Sequence, residues 1–349
     1  MRARSRIPGS SKRVRETILL VCRFSPHPVV TGGCERLVAD YERHVFSDYD
    51  VWFLHNPHRG VPRLLHYGEV VEIAPSLETL CALDPAFALF FNPIAEEELV
   101  LQLADELPSF CFVERYTPSP VFDRFLGAIT HMPVEGRDDV LVLPGSFDPA
   151  IFRRERRAEE AIVCVARICP TKNQLELVQG YRERIYDRFG LPLILAGGPD
   201  PASAYDLIAP YIDGEAVRGT IDPCAPDSPR SWLGARELAS LLNRARLFVN
   251  PSPAESFCLA LIEAMACGTT CVVNGAYDGF ADGELHPRVF GHTDGARGSI
   301  LDLIESALLA DVRIDASQWA QQFALPVVGR RIRAFIEAAL ERAETVRCA

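Results

Sequence analysis

The stretch from Leu247 to Gly268 constrains this chain more than any other. A short apolar strand, Leu247-Phe248-Val249, runs into the turn Pro251-Ser252-Pro253, and a helix over Phe257–Cys267 follows, stopped at Gly268. That helix is apolar on almost every side, and a helix apolar all round is a buried one. Glu263 is its single charge, and a buried carboxylate requires a hydrogen-bonding partner or a polar cleft. Glu255 stands just before it. Between the two acids lie backbone N–H groups with no partner inside the helix, at an end carrying about half a positive charge and suited to phosphate. Two readings stay open on these residues alone. The acids and the helix start grip a sugar nucleotide, hydroxyls on the acids and diphosphate on the N–H groups; or this is a capped core helix with one odd glutamate.

A second unit has the same plan. Ile162–Ala166 reads as a buried strand ending at Arg167, followed by Ile168-Cys169-Pro170-Thr171-Lys172-Asn173 and a helix over Lys172–Phe189, about 17 residues long. Open α/β sheets place ligands at such carboxyl ends of strands. Lysine occurs only at positions 12 and 172, against 34 arginines. A lysine kept in a strand-to-helix loop of so arginine-rich a chain points to phosphate, which its compact charge suits. An exposed pair without function is the plainer alternative.

Strands alternate with helices along the chain, the pattern of parallel sheets covered on both faces. Strands are expected at Ile18–Cys22, Val51–Leu54, Phe87–Phe91, Phe110–Val113 and Val140–Leu143, then at Ile162–Ala166, Leu193–Ala196, Leu247–Val249 and Thr270–Val273. Helices are expected near Glu35–His44, Ala95–Leu107, Lys172–Phe189, Ala235–Ala245, Phe257–Cys267 and Val328–Glu344, with Asp222–Leu233 a loop. At 349 residues the length suits two domains.

Five motifs in order resemble the GT-B retaining glycosyltransferases of the family 4 type, the glycosyl transferases group 1. Ser25 to Arg36, with Gly32-Gly33, resembles the family's glycine loop after the first strand. Leu143–Phe152 resembles the segment joining its domains, and Arg167–Asn173 resembles its Arg-x-x-x-x-Lys-Asn clamp. Leu193 to Pro199 resembles its next strand and glycine turn, and Asn250-Pro251-Ser252 with Glu255 and Glu263 its Pro-Ser and Glu-x7-Glu pattern.

The resemblance implies an α/β fold of two Rossmann-like, doubly wound parallel-sheet domains facing a cleft. Its divisions here are a disordered basic tail (1–16), an acceptor domain (17–152), a nucleotide-sugar donor domain (153–325) and a helix packing back on the first domain (326–349). It implies metal-independent, retaining transfer of a sugar from a nucleoside diphosphate sugar, UDP or GDP, to a small-molecule acceptor of a natural-product or small-metabolite pathway, with no separate cofactor. By resemblance, Arg167 and Lys172 neutralise the diphosphate with the helix start at Ser256, Phe257, Cys258 and Leu259. Glu255 holds donor-sugar hydroxyls, Glu263 the ribose, and Gly32 and Gly33 close over the diphosphate. Gly197, Gly198, Arg218 and Ile221 flank the base. The family has glycine where this chain has Ser256 and Cys258. It carries a histidine where this chain has Glu114, assigned here to the acceptor side, and an earlier family histidine falls near Asn92. These departures keep open a non-catalytic or partner-dependent sugar-nucleotide binder, or a phosphorylase or epimerase on the same scaffold.

Composition narrows the field further. Net charge is −11, and the first 15 residues hold six basic residues and no acid, which leaves −17 for the rest. So acidic a body is a poor nucleic-acid binder, and contact of the basic tail with a membrane is the minor alternative. No apolar run reaches the roughly 18 residues that span a bilayer, and no secretory leader is evident. The 11 cysteines form no Cys-x-x-Cys pair, so a reducing cytoplasm is expected. Asp48-Tyr49-Asp50 spells Asp-x-Asp but precedes a strand, and is read as a surface turn; with no ligand spacing among the histidines, no metal is expected. The oligomeric state is left open.

Overall fold

The computed structural model describes residues 15–348 except 24–32, 58–59, 93–97, 115–118, 133, 135, 144, 156–157, 200–201, 221–232, 281–282 and 297. Gly32, Ile221, most of the 1–16 tail and most of the Asp222–Leu233 loop fall outside the described residues.

Two sheets carry the chain. The first is built from β1 (Thr17–Cys22), β2 (Asp50–His55), β3 (Arg63–His66), β4 (Glu69–Ile73), β5 (Phe87–Phe91), β6 (Ser109–Val113), β7 (Gly127–Thr130) and β8 (Val140–Val142), in the order β4-β3-β2-β1-β5-β6-β7-β8. All its pairings are parallel except β2 with β3 and β3 with β4. The second holds β9 (Ala161–Val165), β10 (Leu193–Ala196), β11 (Val217–Gly219), β12 (Ala245–Asn250), β14 (Cys271–Asn274) and β16 (Phe290–His292), all parallel, in the order β11-β10-β9-β12-β14-β16. A two-residue ribbon pairs β13 (Ala254–Glu255) with β15 (Ala276–Tyr277). Central strands such as Phe-Ala-Leu-Phe-Phe in β5 and Ser-Phe-Cys-Phe-Val in β6 are buried at every residue, the continuous apolar run that a sheet covered on both faces demands.

The covering helices are α1 (Gly33–Asp40), α2 (Leu77–Cys81), α3 (Glu98–Glu106), α4 (Gln174–Val178), α5 (Asp187–Phe189), α6 (Ala235–Asn243), α7 (Leu259–Ala266), α8 (Ile300–Leu309), α9 (Ser317–Ala320) and α10 (Leu325–Cys348). The expected α/β class and all nine expected strands are present. The hairpin β3–β4 had no expectation behind it: Glu-Val-Val-Glu-Ile is largely exposed and lacks a clean alternation. Short strands β7, β11 and β16 and helix α8 were likewise not anticipated.

Two helices differ from expectation for local backbone reasons. The helix over Lys172–Phe189 is instead a 3-10 turn (Pro170–Lys172), α4, a π-turn (Arg182–Tyr186) and α5. Asn173 is left-handed at φ 58°, Gln179 is extended and Gly180 has φ 76°, so the spiral breaks twice. The helix expected at Phe257 begins at Leu259, because Cys258 is left-handed at φ 69°. A cysteine there meets a steric cost of about 1–2 kcal/mol that glycine avoids, which accounts physically for glycine at this position in the family the sequence resembles.

The chain passes from the first sheet to the second and back through adjacent, hydrogen-bonded segments. Phe147 bridges Ala324 in parallel, its N–H donating to Phe323 O at 3.2 Å and its carbonyl accepting from Leu325 N at 2.9 Å. Helix α10 then returns to the first sheet, where Leu325, Val328, Ile332, Ile336 and Ala339 join the core of β1, β5 and β6. Gly127 in β7 is required by that packing, since a Cβ there would stand 2.5 Å from the Phe335 ring.

Candidate functional site

Loops at the carboxyl ends of β9, β10 and β12 meet at the start of α7. The first two loops are tied by a parallel bridge between Ile168 and Pro199 and by Ile168 N donating to Gly198 O at 2.8 Å. Gly197 makes this possible: its φ is 141°, and a Cβ would lie 2.1 Å from Ala166 O. Its N–H donates to Thr220 Oγ1 at 3.4 Å. The clamp loop is fixed from within by Gln174 Nε2 donating to Arg167 O at 2.8 Å, and against the β12 loop by Asn173 Nδ2 donating to Pro251 O at 3.4 Å.

Lys172 and Glu255 meet where these loops converge. The Lys172 ammonium donates to both Glu255 oxygens, at 2.7 and 2.6 Å, with Glu255 buried and Lys172 half-buried. Burial works against the lysine charge, but the Glu255 carboxylate outweighs it, and the Lys172 pKa stands above its ordinary value. The ammonium therefore stays charged at neutral pH. Asn250 at the end of β12 organises the acid from behind: its Nδ2 reaches Tyr277 Oη at 2.7 Å, Glu255 Oε1 at 3.3 Å and Cys258 Sγ at 3.4 Å. Burial pushes the Cys258 thiol well up, so it stays protonated and neutral beside this pair.

Helix α7 brings its first turn, Leu259 and Ala260, to the same place half-buried. Ser256 is half-buried at its approach, and Phe257 is buried beneath it. One turn in, Glu263 has a side chain only 1% exposed. The partner that its burial demands is Arg36 of α1, a residue given no site role from sequence, whose Nη1 donates to Glu263 Oε1 from the other sheet's side of the molecule. Among the described residues Oε2 has no partner, and it is sealed from solvent. Burial pushes the Glu263 carboxyl up and Arg36 pulls it back. Close by, burial pushes Asp40 up to about 7, with Arg36 opposing and the Glu263 and Asp148 charges adding.

Across from this cluster, β5, β6 and β7 end side by side at Asn92, Glu114 and His131. Asn92 is left-handed at φ 48°, and its Oδ1 accepts the Glu114 N–H at 3.1 Å. Glu114 is exposed, while His131 is 7% exposed and stacks on Phe257 at 5.3 Å.

Of the residues singled out from sequence, the structure thus brings together Lys172, Glu255, Ser256, Phe257, Cys258, Leu259, Gly197 and Gly198, with Glu263 one helical turn behind. Arg167 opens the same loop with an exposed side chain. Gly33 opens α1, three residues ahead of Arg36. Arg218 does not join them: it is exposed on the edge strand β11, its Nε on Glu215 O at 3.2 Å. Arg36, Asn250, Tyr277, Thr220 and His131 were given no site role from sequence, although Arg36 and Asn250 stand in motifs read there. The demand of Glu263 for a partner was the one physical signal toward Arg36. Asp48 is engaged by Arg333, and Asp50 by His66 at 2.9 Å, so the Asp-x-Asp turn is structural. Among the described residues no three His, Cys, Asp or Glu side chains gather so as to hold a metal ion, and no helix is long and apolar enough to cross a membrane.

Comparison with known proteins follows the same lines. Residues 159–287 match the family described as Glycosyl transferases group 1. Over 198 residues, 54% of this chain, the sequence is 29% identical to a D-inositol 3-phosphate glycosyltransferase of Rhodococcus erythropolis, of which it covers 43%. The chain therefore spans less than half the length of that curated relative. Among solved structures, the avilamycin A biosynthesis glycosyltransferase AviGT4 superposes with a TM-score of 0.59 at 17% identity, over 94% of this chain and 98% of the other. Anabaena HepE, in complex with UDP and glucose, gives 0.63 at 14% identity, over 92% and 99%. Likeness at those identities speaks to the fold, and the fold is GT-B. The chain has the GT-B fold, and its residues 159–287 match glycosyl transferases group 1.

Proposed function

We propose that this protein transfers a glycosyl unit from a nucleoside diphosphate sugar to a small polyhydroxylated acceptor, with retention and without a metal ion. The observation that carries this reading is the convergence of the Lys172 ammonium, the Glu255 carboxylate and the first turn of α7 on one point, with the buried, unpartnered Glu263 Oε2 a turn away. A cation and a helix start suit a diphosphate, and two carboxylates suit hydroxyls. The UDP and glucose bound by HepE on the same fold support the donor class.

In this reading the diphosphate displaces Glu255 from Lys172. The ammonium exchanges one anion for another, and the freed Glu255 accepts hydrogen bonds from donor-sugar hydroxyls. Arg167 adds a second positive charge from the same loop, and Gly33 approaches from the start of α1. As the bond from the anomeric carbon to phosphate breaks, charge grows on the leaving oxygen, and preset cations and N–H groups stabilise that state most. The attacking hydroxyl enters from the same face, and its proton passes to the departing diphosphate. Glu263 takes the ribose hydroxyls once Arg36 yields, and the base lies against Gly197 and Gly198. Glu114, exposed at the end of β6, orients the acceptor.

The test is release of nucleoside diphosphate from UDP-glucose, UDP-N-acetylglucosamine, GDP-mannose and GDP-fucose, with D-inositol 3-phosphate, glucose and myo-inositol as acceptors. Acceptor-dependent release from one donor, with the product's anomeric configuration matching the donor's, is expected. Release from none would overturn the reading.

A further inference from the structure

His131 directly follows β7, and contacts on several sides fix it. Val113 of β6 pairs with Thr130 of β7, so Glu114 and His131 are the next residues on neighbouring strands. The imidazole lies edge-on to Phe112 at 5.0 Å and stacks on Phe257 at 5.3 Å and 25°. Phe257 in turn stacks on Phe280 at 4.7 Å. This column runs from the first sheet into the loop two residues ahead of α7, so the ring stands between the acceptor-side strand ends and the donor cluster.

The two ring nitrogens differ. Nδ1 lies 2.9 Å from Leu143 O. A carbonyl only accepts, so Nδ1 carries the hydrogen, and in the neutral ring Nε2 is then a bare lone pair. Burial holds the His131 pKa below its ordinary value, with the Leu143 carbonyl and the Glu114 carboxylate acting the other way, and the ring is neutral at physiological pH. Among the described residues Nε2 takes no hydrogen bond, and it is not sealed from solvent. The ring is thus buried and oriented on every side except at one acceptor atom.

We propose that His131 is an acceptor-binding residue: its Nε2 accepts a hydrogen bond from an acceptor hydroxyl adjacent to the one that attacks. A bare lone pair held rigidly reads the presence of an O–H donor at one place. The acceptor class it selects is a sugar or cyclitol with neighbouring hydroxyls, and water needs no such contact. The proposal rests on the transferase reading above. The attacking hydroxyl still sends its proton to the leaving diphosphate, and His131 neither gains nor loses one.

Two substitutions separate this role from a structural one. His131→Asn keeps an N–H near Nδ1 for Leu143 O and removes the Nε2 position; His131→Gln keeps an acceptor near Nε2 and gives up the Leu143 bond. Both are measured for UDP and GDP affinity, for donor release into water, and for transfer to glucose and myo-inositol. Nucleotide affinity and release into water are expected within about twofold of wild type in both. Transfer is expected to fall about tenfold in His131→Asn, the worth of one hydrogen bond, and to recover most of that in His131→Gln. Transfer retained by His131→Asn as well as by His131→Gln, or release into water falling in step with transfer, would overturn the assignment. A wild-type protein that binds neither nucleotide would instead remove the transferase reading, and this one with it.

Discussion

Replacing Arg36 by methionine isolates the pair that joins α1 to α7. Glu263 is 1% exposed and Arg36 23%, so the substitution strands a carboxylate in an apolar helix while the methionine retains most of the arginine stem's packing. Removing one member of such a pair costs about 3–5 kcal/mol. The sign of its pH dependence follows from the Glu263 carboxyl, which burial raises and Arg36 partly restores. Without Arg36 the folded state holds the Glu263 proton more tightly still. A carboxyl raised on folding gives stability that is complete below its unfolded value, about 4.3, and is lost as pH rises through the folded value. The deficit of Arg36→Met should therefore be small near pH 4, grow through neutrality and level off above the variant's own Glu263 pKa. Urea unfolding at pH 4.5, 7 and 8.5 measures it. The double variant Arg36→Met/Glu263→Gln, with no charge left to strand, should recover most of the loss. A single variant as stable as wild type at pH 8.5, or a deficit that shrinks with rising pH, would refute the claim that Glu263 depends on Arg36.

Other outcomes follow from neighbouring groups. Asp40, raised to about 7 by burial, contributes stability that is full below about pH 4 and lost as pH climbs through 7. Asp40→Asn should remove that decline and stabilise the protein at pH 8 by about 2–4 kcal/mol, read from the urea midpoint. Gly197→Ala forces a Cβ to 2.1 Å from Ala166 O at φ 141°, and should cost about 3 kcal/mol and weaken nucleotide binding together, checked by unfolding and titration. Lys172→Ala should lower kcat/KM for the donor by about 2–4 kcal/mol of transition-state stabilisation; turnover within tenfold of wild type would contradict its role at the leaving group.

Much of this architecture is legible in the sequence because parallel strands buried on both faces write themselves as continuous apolar runs. Ile18–Cys22, Phe87–Phe91 and Ile162–Ala166 need no partner to be recognised. Helix interruptions are harder, since they are set by single residues in left-handed backbone: Asn173, Gly180 and Cys258 break spirals whose apolar spacing is otherwise helical. At the candidate site, the local pieces were readable from spacing, with Lys172 in a strand-to-helix loop and Glu255 and Glu263 around a helix start. Their partners were not. Arg36 lies 227 positions from Glu263 and Lys172 83 from Glu255, and only the fold relates such pairs. His131 sits in Gly-Ala-Ile-Thr-His, a stretch too short to declare itself a strand, so its place beside Glu114 emerges only from the β6–β7 register.

Calorimetric titration of the wild-type protein and of Lys172→Ala with UDP, GDP, ADP and dTDP tests the donor site most directly. One nucleoside diphosphate should bind the wild type and lose at least about tenfold in affinity when Lys172 is removed, since the ammonium that holds Glu255 in the empty protein would be the group that holds the diphosphate. Binding of none of the four, or binding that Lys172→Ala leaves unchanged, would contradict that account.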